Sequence, residues 1–213
     1  MVYTKVIHQD TYPFIDPTKQ NLKGKVVFIT GATRGIGKAT ALSYTKAGVS
    51  GLVLAARGDL SSLEAEIPKV AKAANHEAPK VLTLKVDVTK QSDVEAAARK
   101  IEEAFGHIDI LINNAGYLED WKKLADTDPE EWWKTWTVNL FGVYLVTRSS
   151  IPLLLKGNYK TIINVSSMGA HLIGQGSSAY SGTKVSKLLS RVKGSTVPNR
   201  SILAGSHPFQ RIH

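Results

Sequence analysis

Five short apolar runs, rich in β-branched residues, are spaced along the chain: 25–30 (KVVFIT), 51–56 (GLVLAA), 81–86 (VLTLKV), 108–112 (IDILI) and 160–165 (KTIINV). Apolar side chains on successive positions predict strands covered on both faces, as in a parallel sheet. The intervals between them carry a helical rhythm. In 92–105 the apolar residues fall at 94, 97, 98, 101 and 105, one stripe of a helix opened by Ser92 with Glu95 and closed at Gly106. A helix pattern follows Gly37 through Ala47 and is closed by Gly48, and Ser61 with Glu64 reads as a capping box opening another to about Asn75, which Pro68 interrupts. Asp128-Pro129-Glu130-Glu131 is an N-cap, a proline and two first-turn acids, predicting a helix to about Ile151. Strand and helix alternate five times, which predicts an α/β fold with a doubly wound parallel sheet.

Two stretches fall outside this rhythm. Residues 1–24, with Tyr12-Pro13-Phe14-Ile15-Asp16-Pro17, predict an arm laid across the domain by its aromatic residues. Residues 117–127 predict a loop.

Composition narrows the field. With 43% apolar and 21% charged residues in 213, the chain suits one globular core, not a disordered or coiled-coil protein. No cysteine is present, which excludes disulfides, thiolate metal sites and thiol nucleophiles. Residues 1–10 lack the apolar segment of a secretory signal, and no apolar run approaches the roughly 18 residues of a spanning helix. The expectation is a cytoplasmic protein with no membrane partner and no metal. A net charge of +9, from 27 basic and 18 acidic residues, admits nucleic acid, a phosphorylated cofactor or a solvated surface. The basic residues are scattered without a tract of five, which argues against nucleic acid.

The first strand runs directly into Gly31-Ala32-Thr33-Arg34-Gly35-Ile36-Gly37 and then a helix. In that context glycines allow a tight turn and close approach of a diphosphate, with a helix N-terminus facing its charge. The second strand ends at Ala56-Arg57, about twenty residues further on, where an acid would hold a ribose 2′-hydroxyl and an arginine suits a 2′-phosphate. Arg57 and Arg34 therefore favour NADP(H), while Asp59 two residues later keeps NAD(H) possible. Asp87, ending the third strand, either bonds an adenine amine or caps the following turn. Asn139 falls in mid-helix, an odd choice unless its amide has a partner, with surface exposure as the ordinary explanation, and the nearby tryptophans read as core or subunit-contact residues.

Near the end of the chain Tyr180 and Lys184 lie one helical turn apart on a helix starting near Ser178. An ammonium beside a phenol favours the phenolate, which can trade a proton with a carbonyl or alcohol. Alone, such a pair is more often a packed tyrosine beside a solvated lysine. Ser167 precedes Tyr180 by thirteen residues and would stand at the carboxyl end of the fifth strand, where open α/β sheets bind ligands.

Taken together, T-G-A-T-R-G-I-G (30–37), D-V (87–88), N-N-A-G (113–116), Asn139 in V-N-L, Ser167 in N-V-S-S and Y-S-G-T-K (180–184) resemble the short-chain dehydrogenase/reductase family over about residues 25–190. The resemblance implies a Rossmann-like domain over 25–192 and hydride transfer between a nicotinamide and a ketone or secondary alcohol. It implies Tyr180 as general acid/base and Lys184 as the residue that favours its phenolate and binds the nicotinamide ribose. It makes Ser167 the hydroxyl polarising the substrate oxygen, and Asn139 the residue whose helix carbonyl holds a relay water. Asn113 is similar to the residue that braces the sheet and lines the cofactor. Cofactor contacts are implied at Gly31, Thr33, Arg34, Gly35, Ile36, Gly37, Arg57, Asp87, Val88, Asn114, Ala115 and Gly116, with Tyr180 and Lys184.

The departure from the family pattern is at the carboxyl end. The helix pattern holds through about Val192, 193–198 breaks it, 201–204 remains as a vestige of a sixth strand, and His207-Pro208-Phe209 stands where a Pro-Gly turn is expected. The expectation is an irregular tail over 193–213, no seventh strand, and a chain truncated relative to the family. The alternative function is accordingly an impaired relative that at most binds cofactor. Pairing into a homo-oligomer is expected if the Tyr180 helix is intact, and substrate choice falls to loops 117–127 and 168–177.

Overall fold

The computed structural model describes residues 11–171, 176–189 and 199–202. Six strands form one parallel sheet: β1 (Val26–Thr30), β2 (Gly51–Ala56), β3 (Lys80–Lys85), β4 (Ile110–Asn113), β5 (Thr161–Val165) and β6 (Asn199–Ile202), in the order β3-β2-β1-β4-β5-β6. The chain builds outward from β1 to β3, then returns to the other side of β1 for β4 to β6. That reversal opens a crevice beyond the carboxyl ends of β1 and β4.

The continuous apolar runs have the predicted consequence. In β1, Val26 and Phe28 enter one core cluster while Val27 and Ile29 enter the other, and all four are buried. One face is covered by α1 (Gly35–Lys46) and α2 (Ser61–Ala73), through Ala41, Leu63 and Ile67. The other is covered by α3 (Gln91–Phe105), with Val94, Ala97 and Ile101 inward, and by α5 (Gly142–Lys156), with Leu145, Val146, Leu153 and Leu154 inward. Each such side chain taken fully from water contributes roughly 1.5–3 kcal/mol.

Several expected details differ. Ser61 and Glu64 form no capping box: Asp59 accepts from both the amide and the hydroxyl of Ser61, at 3.1 and 2.6 Å, and Glu64 is turned toward Thr83. Ser92 and Glu95 likewise do not cap α3, which starts one residue earlier at Gln91. Neither Pro68 nor Pro152 ends its helix. Each forgoes a single backbone bond, and the flanking pairs Ile67/Ala71 and Leu153/Leu154 hold the helix against the sheet.

The helix begun at Asp128 does not stop near Ile151. It runs as α4 (Pro129–Trp136), a π-helical stretch Thr137–Phe141, and α5. Pro129–Lys156 is 28 residues long and holds an 18-residue window of mean hydropathy 1.4, so by length and composition it could cross a membrane although no uninterrupted apolar run approaches that length. Its Leu145, Val146, Leu153 and Leu154 lie in the sheet's core cluster.

Of the arm's described residues, Phe14 is 84% exposed and Tyr12 half-buried, while Leu22 docks the arm, donating its amide to Ala47 O and packing on the core. Within the expected irregular tail, residues 199–202 form β6, pairing Ile162 with Asn199 through Val165 with Ile202, two residues ahead of the predicted 201–204. The helix pattern beyond residue 189, the 193–198 break and His207-Pro208-Phe209 lie outside the described residues.

At the opposite end of the sheet from the crevice, Asp109 is fully buried. Its carboxylate accepts from the amides of Val26, Asn158 and Tyr159, with Lys25 at 3.8 Å. Burial pushes its pKa upward, but those amides and the Lys25 charge outweigh it and hold the carboxyl below its ordinary range.

Candidate active site

The crevice is a cavity of about 680 Å³. One side is the glycine turn. Gly31 has φ +70°, and a Cβ there would lie 2.9 Å from Ala115 Cα; one on Gly37 would lie 2.2 Å from Gly31 O. Glycine is therefore required both for the left-handed turn and for seating α1 against it. Arg34 stands at the N-cap without a side-chain cap bond, which leaves the first amides of α1 directed at a cavity lined by Gly35 and Ile36.

Thr30, at the end of β1, locks this turn to β4. Its hydroxyl accepts from the amides of Asn114 and Ala115, both at 3.1 Å, while Asn114 Nδ2 donates to the carbonyls of Thr30 and Gly31, both at 3.0 Å. The motif T-G-A-T-R-G-I-G includes Thr30, yet its bracing role was not legible from the sequence.

At the β2 end of the cavity are Ala56, Arg57 and Gly58, with Arg34 and Thr33 across from them on the glycine turn. Asp59 does not line the cavity, because its carboxylate is spent on Ser61. Asp87 and Val88 complete this wall. Asp87 Oδ1 accepts from the amide and hydroxyl of Thr89, at 3.0 and 2.8 Å, so the turn-capping alternative is realised while the residue also faces the cavity. Its partial burial raises its pKa, and the two Thr89 bonds with the Arg57 and Lys90 charges outweigh that, leaving it below the ordinary carboxylate range.

The opposite wall is built from Tyr117, Leu118, Val138, Val165, Ser166, Tyr180 and Lys184. Tyr180 and Lys184 stand on α6 (Ser178–Leu189). Lys184 is 4% exposed, its Nζ donates to Val165 O at 3.1 Å, and it lies 5.1 Å from the Tyr180 ring centre. This is not a solvated lysine beside a packed tyrosine. Gly182 lets α6 approach α4 closely, since a Cβ there would sit 3.0 Å from the Trp136 ring.

Ser167 is buried just past β5, and its hydroxyl accepts from Gly169 N at 3.1 Å. A Cβ on Gly169 would lie 3.5 Å from Ser167 Oγ and 3.7 Å from Tyr180 Cε1, so the two residues flank the same point. The wall of the cavity itself is Ser166, whose hydroxyl donates to Lys184 O at 3.0 Å.

Asn139 is completely buried, not exposed on its helix. Its amide donates to Tyr117 O and Thr183 Oγ1 at 2.8 and 3.2 Å, and its carbonyl accepts from Tyr117 N at 2.8 Å. It straps the segment after β4 to α6 from within the π-helical stretch, where Gly142 N reaches back five residues to Thr137 O. Asn113 braces the sheet through Asn164 and Thr147 but does not line the cavity, because strand alternation turns it to the other face while Asn114 to Gly116 line it. Of the tryptophans, Trp132 and Trp136 pack together with ring centres 5.6 Å apart and Trp133 is exposed.

A doubly wound parallel sheet, an uncapped helix behind a glycine turn and a crevice at the strand reversal define a dinucleotide-binding α/β protein. The chain belongs to the short chain dehydrogenase family, whose sequence profile matches residues 25–190. It is similar to a short chain dehydrogenase of Monascus purpureus, 50% identical over 181 residues that make 85% of this chain and 62% of that one. It is also similar to a short chain dehydrogenase of Monascus ruber, 44% identical over 185 residues, 87% of this chain and 61% of that one. Among solved structures, the NADH-dependent reductase A1-R′ complexed with NAD superposes with a TM-score of 0.76 at 26% identity, covering 90% of this chain and 84% of that one. The chain thus spans about three-fifths of the length of the two Monascus relatives.

Proposed function

We propose that this chain is an NADP(H)-linked oxidoreductase that interconverts a ketone and a secondary alcohol, with Tyr180 as general acid/base. The observation that carries the reading is the placement of Lys184, buried and pinned to Val165 O beside the Tyr180 ring, on the wall of the cavity that the glycine turn opens. A nicotinamide dinucleotide fits the donors present. The α1 amides suit its diphosphate, the backbone of Asn114 to Gly116 admits a flat ring closely, and Arg34 with Arg57 suits a 2′-phosphate.

The bound nicotinamide supplies or takes the hydride. Tyr180 Oη gives its proton to the carbonyl oxygen on reduction and recovers it on oxidation. The Lys184 ammonium, 5.1 Å from the Tyr180 ring centre on the same wall, is placed to bind the nicotinamide ribose. Ser167 Oγ, facing the same point as the Tyr180 ring, orients the substrate oxygen. Asn139 and Thr183 hold the segment around Tyr117 against α6, which keeps this wall in register.

Support for NADP(H) over NAD(H) comes from this chain's own residues: Ala56 in place of an acid, two arginines at the cavity, and Asp59 withdrawn to α2. The reductase A1-R′ solved with NAD keeps NAD(H) as the competing cofactor. Cofactor binding without turnover is the second reading, favoured by the three-fifths of the relatives' length that the chain matches.

One experiment separates them. NADPH should raise the thermal midpoint of the purified protein more than NADH does. The protein should also oxidise NADPH with members of a ketone panel, and Tyr180→Phe should abolish that turnover while keeping the midpoint shift. A shift with no turnover leaves the second reading, and no shift with either nucleotide removes both.

A further inference from the structure

Glu119 has no role in the chemistry described so far, yet it is a carboxylate only 4% exposed. A buried carboxylate is costly unless its oxygens are paired. Among the described residues no lysine, arginine or histidine lies within ion-pair distance of it. It is paired instead by two hydrogen bonds that meet at the wall carrying Tyr180. Oε1 accepts from the backbone amide of Tyr180 at 3.0 Å, and Oε2 accepts from the hydroxyl of the fully buried Thr135 on α4 at 2.9 Å.

The amide of Tyr180 is the third of α6, one of the first-turn donors that a helix cannot satisfy internally. A carboxylate accepting there also complements the positive end of the helix dipole. The surrounding contacts run the same way. Lys122 donates its amide to Gly176 O at 3.0 Å, and Trp132 Nε1 donates to Ser178 Oγ at 3.0 Å. The loop after β4 and helix α4 are therefore laced at three points to the first turn of α6 and the residues leading into it, and of these only the Glu119 bond falls on the reacting residue itself.

One turn further on, Lys184 is fixed from the other side by Val165 O. These two bonds anchor this turn of α6 at its beginning and its end. We propose that Glu119 is a positioning residue, whose carboxylate holds the Tyr180 amide and so sets how far the phenol reaches into the cavity. The inference rests on the assignment of Tyr180 as acid/base.

The chemistry predicts an ordering of variants. Glutamine keeps an acceptor for the Tyr180 amide and can donate to the Thr135 hydroxyl, which then turns its proton to the Glu131 carbonyl at 3.1 Å. Aspartate keeps the charge but is one methylene short. Alanine loses both bonds. Misplacing a reacting group by about an ångström costs on the order of a hundredfold in rate. Accordingly kcat per NADPH-binding site, with the fastest ketone of the panel, should fall roughly tenfold to a hundredfold in Glu119→Ala and Glu119→Asp. In Glu119→Gln it should stay within about threefold, with NADPH affinity changed less than about threefold in all.

The test measures NADPH-binding stoichiometry, kcat and KM for the three variants beside Tyr180→Phe, and hydrogen exchange of the Tyr180 amide by NMR. If Glu119→Ala does not fold, the glutamine and aspartate variants carry the same comparison. A purely structural role would lower the number of binding sites and leave kcat per site unchanged, which overturns the proposal. So would an equal kcat loss in Glu119→Gln and Glu119→Asp, since charge or loop shape would then be the cause. Turnover that survives Tyr180→Phe sinks the acid/base assignment instead. Should the parent show no turnover, Tyr180 amide exchange that is not accelerated in Glu119→Ala or Glu119→Asp relative to Glu119→Gln overturns the inference on its own.

Discussion

Lys184 donates to the carbonyl of Val165 at the end of β5, a bond of 3.1 Å that ties the helix carrying Tyr180 to that strand of the sheet. The ammonium is thereby held where a flexible side chain would otherwise sweep a wide arc, and its position beside the phenol costs nothing further when a ligand arrives. Removing it should act on two quantities at once. Lys184→Ala is expected to weaken NADPH binding about tenfold and to lower turnover by a further factor of roughly 10²–10³. Fluorescence titration and steady-state rates check this, and an NADPH affinity equal to the parent's would rule out a ribose contact for Lys184.

Arg57 is exposed at the mouth of the cavity, and the acid nearest to it in sequence, Asp59, is committed to Ser61. Arg57→Asp places an unpaired carboxylate where a 2′-phosphate would come, so like charges repel that group and a ribose hydroxyl gains an acceptor. The ratio of NADPH to NADH affinity is expected to fall by roughly a hundredfold, about 2.7 kcal/mol of differential binding. Parallel titrations with the two nucleotides measure it. A ratio that does not move would remove the argument for the phosphorylated cofactor.

The strands and the order of elements were legible because successive apolar residues can be satisfied only in a sheet covered on both faces, and Val26 to Ile29 divide between the two cores accordingly. The glycine turn was legible for a similar reason: Gly31 and Gly37 leave no room for a Cβ. What the sequence hid are polar residues whose partners lie far along the chain. Glu119 is 61 residues from the amide it holds and reads as one more surface acid between Leu118 and Asp120. Asn139 reads as an exposed residue until α6 supplies Thr183 as a partner 44 residues later. The capping box at Ser61 failed for a local reason, because Asp59 outcompetes Glu64 for Ser61 by standing two residues away.

Asn139 offers a separate prediction. Its side chain satisfies both backbone groups of Tyr117 from inside the protein, so Asn139→Ala leaves a part-buried amide and carbonyl without these partners. Loss of about 2–4 kcal/mol of stability is expected. Asn139→Asp keeps the bond from Tyr117 N but faces Tyr117 O with a second acceptor, and should be no better. Urea unfolding of both variants decides the matter, and an unchanged midpoint in Asn139→Ala would mean the strap contributes nothing.

Asp109 makes the far end of the sheet sensitive to acid. Three backbone amides and Lys25 hold its carboxyl below the ordinary value of 3.8, so the folded protein binds this proton less readily than the unfolded chain does. For a carboxylate whose folded-state pKa is depressed, the linked stability is complete above the unfolded value and is lost as pH falls through the folded one. The parent should therefore lose stability from about pH 4 downward. Asp109→Asn cannot be protonated there and cannot accept from all three amides, because its NH₂ group meets one of them as a donor. Its cost is expected to be about 2–3 kcal/mol at pH 7 and to shrink as pH falls below about 4. Denaturant midpoints at several pH values test both the size and the sign. A variant deficit that stayed constant from pH 7 to pH 3 would show that the carboxylate's charge has no part in holding β1, β4 and the segment before β5 together.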